Sequence, residues 1–286
     1  RGPHAVVNAV DNTAELAAVV AQVVLQALAV LTGLNFSGVG AADGGNAVGI
    51  LYHKSASTAC TVRIFQLFSR HYYKGVDALS PKMLSIAFCT HLHMDHTAGC
   101  PDLIFTPWVL ERETPLRVFS PQGLRHMTDC ILDAYSADID FRLHGFEKAN
   151  QTGYQVQVTE IAPGVIYQDD RVTVEALPVS HGTLESYAYK FITANKTIVI
   201  SGDTAPLETF ATWAAGCDIL LHEVEYARGL SSREPKWQKY HRIVHTLSTD
   251  LAQIAQAVQP GLLVTYHRIY HMEIQDNTQD LEYEMS

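Results

Sequence analysis

The segment THLHMDHTAG, residues 90–99, contains the densest group of metal-ligand side chains in the chain. It follows the apolar run LSIAFC, residues 84–89, which predicts a buried strand. Alternate residues at a strand end project to one side, so we expect the first two histidines to bind one ion. The aspartate and the third histidine are then expected to reach a second ion beside it. The four residues are His91, His93, Asp95 and His96.

The residue types in this turn favour a metal centre. Imidazole nitrogen suits zinc, and a carboxylate oxygen suits a harder position that activates water. A histidine-rich turn can also arise by chance or form a surface feature. The buried strand before the turn and the small residues after it argue for metal binding.

Beyond residue 84, β-type runs alternate with helical patterns, as in sheets that are covered by helices on their outer faces. Helices are predicted at 123–135, with an apolar face, and at 248–261, with Ser248 or Thr249 as the cap. Further strands are predicted at 116–121, 171–181, 188–193, 196–203, 218–225 and 262–267. The weaker pattern before residue 84 predicts a helix near 15–31 and strands near 47–52 and 60–67.

The H-x-H-x-D-H turn resembles the signature of the metallo-β-lactamase superfamily. The resemblance implies an α+β fold, a four-layer αββα sandwich in one domain over residues 1–286, in which residues 1–83 are atypical for the family. It also implies three further ligands, each at the end of a predicted strand. His181 would complete the first metal site, Asp203 would bridge both ions, and His267 would complete the second site.

Within the superfamily, the closer resemblance is to the ribonuclease Z branch. SGDT, LLHEVE and HTLSTDLAQIA follow one another at 201–204, 220–225 and 245–255. This order implies that Glu223 orients His245 for protonation of a leaving group. The pair His222 and Glu223 can also be read as the cap of a strand.

The implied chemistry is hydrolysis by a metal-bound hydroxide that Asp95 can help to orient. We expect two Zn2+ ions, with Mn2+ or Fe as alternatives. The ligand set leaves coordination positions open, which favours catalysis over a structural role.

The predicted substrate is a small molecule: a carboxylic ester, lactone, β-lactam, sulfate ester or phosphodiester. The branch usually carries a long arm between the ligands that match His181 and Asp203, and this chain lacks it. The formal net charge of −10 also argues against a nucleic-acid partner, although local basic patches stay open. The alternatives are a ribonuclease Z-like phosphodiesterase acting on RNA, an iron-dependent oxygenase of the same fold, and a metal-binding module without catalysis.

Other patterns set weaker expectations. The apolar segment 15–34 is interrupted by polar residues and is read as a core helix, so we expect no membrane span. A cytoplasmic chain is favoured over a secreted one, and a homodimer stays open. The five cysteines include no C-x-x-C pair and are expected to be mostly buried thiols. Trp213, Trp237 and Tyr240 could line a pocket, or form core or dimer contacts.

Several histidines have no partner pattern in the sequence and are read as surface or core residues. They are His53, His71, His126, His144, His241 and His271.

Overall fold

The computed structural model describes residues 81–271 and 283–285. In this part of the chain two compact units are present, residues 81–162 and residues 163–271 with 283–285. The helix predicted near 15–31 and the strands predicted near 47–52 and 60–67 lie outside the described residues, so they stay predictions.

The first unit contains a parallel three-stranded sheet in the order β1-β2-β3. A 3-10 helix, Pro81–Met83, precedes it. The strands are β1 Ile86–Phe88, β2 Leu116–Ser120 and β3 Val156–Glu160. The helices are α1 Met94–Thr97, α2 Cys100–Val109, α3 Leu124–Ala134 and α4 Ser136–His144.

The core of this unit confirms the apolar face predicted for α3. Ile104, Trp108 and Val118 are buried at its centre. The side chains of α3 that pack into this core are the four at helical spacing, Leu124, Met127, Ile131 and Leu132.

A buried arginine joins the loops of the same unit. The Arg112 guanidinium donates five hydrogen bonds to the carbonyls of Leu84, Leu103, Ile104 and Gly153. Gly153 allows this approach, because a Cβ there would lie 1.8 Å from the Arg112 carbonyl oxygen.

The second unit contains a six-stranded sheet in the order β4 to β9. Pairing is antiparallel from β4 to β7 and parallel from β7 to β9. Its strands are β4 Gly164–Gln168, β5 Val172–His181, β6 Leu184–Thr193, β7 Thr197–Ile200, β8 Ile219–Glu225 and β9 Leu262–Ile269.

Short turns connect β5, β6 and β7. Residues 182–183 join β5 to β6, and residues 194–196 join β6 to β7. The structure describes every residue from His181 to Asp203, and this segment contains no inserted arm. The sequence-based prediction on this point is therefore confirmed.

Four helices accompany the second sheet: α5 Glu208–Ala214, α6 Ala227–Ser231, α7 Pro235–Val244 and α8 Ser248–Val258. Leu251 and Val258 of α8 are buried in one cluster with Leu220 and Val224 of β8. The α8 span agrees with the prediction, but its cap does not. The Ser248 hydroxyl accepts a hydrogen bond from the Ala227 amide instead of from its own helix.

Two minor expectations can be compared with the described residues. Cys217 is buried and Cys89 and Cys100 are half-buried, but Cys130 is exposed, so burial does not extend to every thiol. No helix in residues 81–271 or 283–285 is long and apolar enough to cross a membrane.

Candidate active site

The structure brings the four ligand-type residues of the 90–99 turn together. His91 is fully buried just after β1, and its Nδ1 lies 3.1 Å from the Thr90 hydroxyl. The His91 ring centroid lies 5.0 Å from that of His93 and 4.0 Å from that of His96. The distance from His96 Nε2 to Asp95 Oδ2 is 3.5 Å. The turn thus concentrates three imidazoles and one carboxylate.

A second group of predicted ligands lies at strand ends of the six-stranded sheet. His181 ends β5, and Asp203 lies in the turn after β7. His267 Nε2 lies 3.4 Å from Asp203 Oδ2. The His181 Nδ1 lies 2.7 Å from the Val244 carbonyl oxygen, and since a carbonyl can only accept, Nδ1 carries the proton. Its Nε2 then keeps a lone pair, the arrangement of a metal-bound histidine.

This second group has the donor chemistry of a metal site. Ligand atoms of His181, Asp203 and His245 lie within 4.8 Å of one another, and so do those of Glu223, His245 and His267. Buried imidazole nitrogens with a carboxylate suit a zinc-class ion. The described residues therefore fit the metal that the sequence predicts.

The backbone at His267 is unusual. The pairing of β8 with β9 shifts by one residue between Glu223 and Val224, so His267 is the extra residue of a bulge. Its φ is 43°, a left-handed conformation that a residue with a Cβ rarely adopts. Bulges re-aim side chains beside active sites. Here the bulge brings the His267 imidazole to Asp203.

Glu223 and His245 form the buried pair that the sequence predicts. The His245 Nδ1 lies 3.1 Å from Glu223 Oε1 and 3.2 Å from Oε2. The Thr204 amide donates to the same carboxylate at 2.8 Å. Glu223 lies inside β8 and is fully buried, so it contacts His245 from within the strand and does not cap its end.

Burial dominates the protonation of this pair. Desolvation lowers the pKa of His245 to about 4, with the Asp203 charge acting in the opposite direction. Desolvation, together with the Asp203 charge, raises the pKa of Glu223 well above its ordinary value. The pair thus favours a neutral imidazole next to a carboxyl group that readily holds a proton.

Sequence reasoning missed a second buried carboxylate. Glu225 is fully buried, and its Oε1 lies 3.1 Å from His241 Nδ1 and hydrogen-bonds His271 Nε2. The sequence predicts no partner for either histidine. The alternation in HEVE was an available signal, because it places Glu223 and Glu225 on the same face of β8.

The aromatic residues near the site differ in exposure. The Trp213 indole is half-buried and donates to Glu175 Oε2 at 3.2 Å. Trp237 and Tyr240 lie on α7 and are 41% and 46% exposed, so neither belongs to the core of the described unit.

The family model for the Beta-lactamase superfamily domain matches residues 60–268. This chain belongs to the metallo-β-lactamase superfamily. The match begins inside the segment 1–83, which is predicted to be atypical for the family. It confirms the predicted membership of this superfamily of hydrolases.

Relatives of this superfamily member include proteins named ribonuclease Z. The one from Mycobacterium sp. (strain KMS) is 30% identical over 189 residues, which are 64% of this chain and 65% of that protein. The one from Mycobacterium bovis (strain BCG / Pasteur 1173P2) is 30% identical over 192 residues, 65% of this chain and 68% of its own length. The chain thus spans about two thirds of these relatives.

Solved structures confirm the predicted αββα fold class. The metallo-beta-lactamase fold protein YhfI from Bacillus subtilis has a TM-score of 0.53 at 18% identity, covering 77% of this chain and 76% of that chain. The short form of human tRNase Z has a TM-score of 0.52 at 19% identity, covering 66% and 74%. The names of the relatives conflict with the expectation that nucleic acid is not a partner.

Proposed function

We propose that this chain is a metal-dependent phosphodiesterase with a dinuclear zinc-class centre. The ligands would be the seven that the sequence predicts: His91, His93, Asp95 and His96 of the 90–99 turn, with His181, Asp203 and His267. The observation that carries the proposal is the buried Glu223–His245 pair. The ligand atoms of Glu223 and His245 lie within 4.8 Å of a ligand atom of His267. Those of His245 also lie within 4.8 Å of ligand atoms of His181 and Asp203. A centre that only held metal would have no use for such a pair.

The chemistry follows from the orientation of His245. When bound, zinc-class ions activate water near neutral pH and polarise a phosphoryl oxygen. Glu223 engages Nδ1 of the His245 ring, so Nε2 is the nitrogen left to face the reacting group. His245 would donate its Nε2 proton to the leaving oxygen as the P–O bond breaks, and the Glu223 carboxyl group would pass its own proton to Nδ1, so that the ring stays neutral and in position.

The substrate class rests on the relatives and on helix α7. Two of the relatives described above carry the name ribonuclease Z. In a chain of net charge −10, residues 233–242 have four basic side chains and one acidic one, Glu234. The basic residues are all exposed: Arg233, Lys236, Lys239 and Arg242. Such a local patch suits a phosphate backbone.

Aromatic rings continue this patch toward His245. The Trp237 and Tyr240 ring centroids lie 6.1 Å apart, those of Tyr240 and His241 5.3 Å apart, and those of His241 and His245 5.7 Å apart. The Lys236 ammonium lies 5.5 Å from the Trp237 ring centroid. Exposed rings between cations are a stacking platform for single-stranded bases. We therefore propose an RNA end as substrate, bound without the missing arm.

The test compares hydrolysis of five substrates by the zinc-loaded chain: a 3′-extended tRNA precursor, bis(p-nitrophenyl) phosphate, p-nitrophenyl acetate, p-nitrophenyl sulfate and a chromogenic β-lactam. We expect cleavage of both phosphodiesters and loss of both activities in His93→Ala. Trp237→Ala should weaken RNA binding by about 1–3 kcal/mol per stacked base, which slows cleavage of the tRNA precursor. Turnover of bis(p-nitrophenyl) phosphate should stay unchanged. Hydrolysis of only the acetate, sulfate or β-lactam would contradict the proposal.

A further inference from the structure

The cluster around Glu225 lies outside the predicted ligand set and outside the Glu223–His245 pair. Its three side chains come from three places in the chain. Glu225 ends β8, His241 lies on α7, and His271 follows β9. Their side chains are 0%, 17% and 9% exposed, so the carboxylate is fully buried and the two imidazoles stay partly accessible.

The carboxylate in this cluster is charged and incompletely satisfied. Burial acts to raise the pKa of Glu225, but hydrogen bonds from His241 and His271 lower it to about 2. A buried charge is costly unless other groups compensate it. Its second oxygen, Oε2, has no hydrogen-bond partner among the described residues.

Two imidazoles and one carboxylate form a common ligand set for zinc with an open fourth position. The His241 and His271 ring centroids lie 4.6 Å apart, and a nitrogen of each ring faces the same carboxylate oxygen. Gly229 of α6 allows the His271 backbone to pack closely against it, because a Cβ at Gly229 would lie 3.3 Å from the His271 backbone nitrogen.

We propose that Glu225, His241 and His271 bind a further divalent cation of the zinc class, separate from the dinuclear centre. The cation would replace the proton between His271 and Glu225 and would engage the unsatisfied Oε2. It would tie the end of β8 to α7 and to the segment after β9. Because the His241 ring stacks on His245 at 5.7 Å, this cation would also act as a positioning element for the His245 imidazole.

The experiment loads the metal-free full chain with Zn2+, removes excess ion by gel filtration and measures zinc per chain. We expect Glu225→Gln and His271→Asn each to hold about one ion fewer than the wild type. The matched control is His144→Asn, because His144 lies 3.8 Å from Asp140 in an exposed histidine–carboxylate pair. It should retain the wild-type content. Folded variants that hold as much zinc as the wild type would overturn the proposal.

A second measurement needs no variant. Zinc should protect His241 and His271 of the wild type from acylation by diethyl pyrocarbonate, as followed by peptide mapping, and should leave His144 reactive. Equal acylation of His241 and His271 with and without zinc would also overturn the site.

His93→Ala separates this site from the proposed function. If the dinuclear centre exists, that variant loses metal but keeps the ion at Glu225. If the centre does not exist, His93→Ala retains its metal content, while Glu225→Gln still holds one ion fewer.

Discussion

The two units of the described chain bury charge in opposite ways. In the first unit, the Arg112 guanidinium uses all five of its donors on main-chain carbonyls, and burial lowers its pKa only to about 10. In the second unit, the Glu223 carboxylate faces His245. A carbonyl cannot titrate, whereas an imidazole can. The first arrangement holds loops together, and the second can move a proton.

This comparison predicts that buried charges of the first kind affect stability and that those of the second kind affect turnover. The largest effect is expected at His245. Replacing it with Ala removes the proposed proton donor, so kcat for a phosphodiester should fall by about 10²–10⁴-fold. Steady-state kinetics of the zinc-loaded variant measure this loss. A substrate with a p-nitrophenolate leaving group should suffer less, because that group needs little protonation.

Arg112→Met should act on stability instead. The variant leaves four carbonyls without this donor, and a buried acceptor left unsatisfied costs about 1–3 kcal/mol, so the free energy of unfolding should fall by at least that amount. Urea unfolding measures this loss, and kcat per folded chain should stay at the wild-type value. Lys82→Met, at an exposed position of the 3-10 helix before β1, is the control and should change stability by less than about 0.5 kcal/mol. If Arg112→Met unfolds at the same urea concentration as the wild type, the Arg112 hydrogen bonds do not stabilise the first unit.

Glu223→Gln tests whether the buried pair in the second unit affects turnover. The amide keeps the size of the side chain and an acceptor for the Thr204 amide, but it has no carboxyl proton to exchange with His245 Nδ1. Loss of an orienting partner typically costs about 10–100-fold in activity. We expect kcat to fall within that range while the zinc content stays constant. A fall in KM alone, or no change, would show that Glu223 does not position the imidazole.

The smallest effect is expected at a partly exposed pair. Asp218 Oδ1 lies 2.7 Å from Lys196 Nζ. The hydrogen bond from Lys196, and after it the hydrogen bond from the Thr197 backbone amide, lower the pKa of Asp218 below its ordinary value. A carboxyl group whose pKa is lower in the folded state stabilises the fold at pH values above its unfolded-state pKa, about 3.9 for Asp. This stability is lost as the pH falls through the folded-state pKa. Asp218→Asn should therefore cost less than about 1 kcal/mol at pH 7.

Thermal melts at several pH values check this prediction. The difference between Asp218→Asn and the wild type should shrink as the pH falls below the unfolded-state value, and disappear once the pH is below the lowered folded-state pKa, where the carboxyl group is protonated in both states. Asp170→Asn is the matched control, since the Asp170 side chain is 88% exposed. A difference that persists at low pH would mean that the Lys196 pair is not its cause.

Local patterns predicted a large part of the fold. Alternation and apolar runs predicted β5, β8 and β9, and helical spacing predicted α3 and α8, because these elements bury one face against a core. The strands β3 and β4 were missed. Their burial patterns show few buried positions, so they lack the strong apolar signal on which the prediction depends.

The candidate site was predictable only where it follows a motif. The 90–99 turn and the Glu223–His245 pair carry local or ordered signals. The Glu225–His271 contact joins residues 46 positions apart, and no local period encodes it. The left-handed bulge at His267 was equally invisible, because strand alternation assumes an unbroken pairing register.

The central claim is that phosphodiester hydrolysis depends on a metal centre that includes Asp203. The most direct measurement titrates Zn2+ into the metal-free wild type and Asp203→Asn, and follows bis(p-nitrophenyl) phosphate turnover together with bound zinc. The wild type should gain activity with metal, and Asp203→Asn should stay lower by about 10³-fold or more, as loss of several kcal/mol of charge stabilisation implies. Turnover without metal, or full activity in Asp203→Asn, would contradict the account.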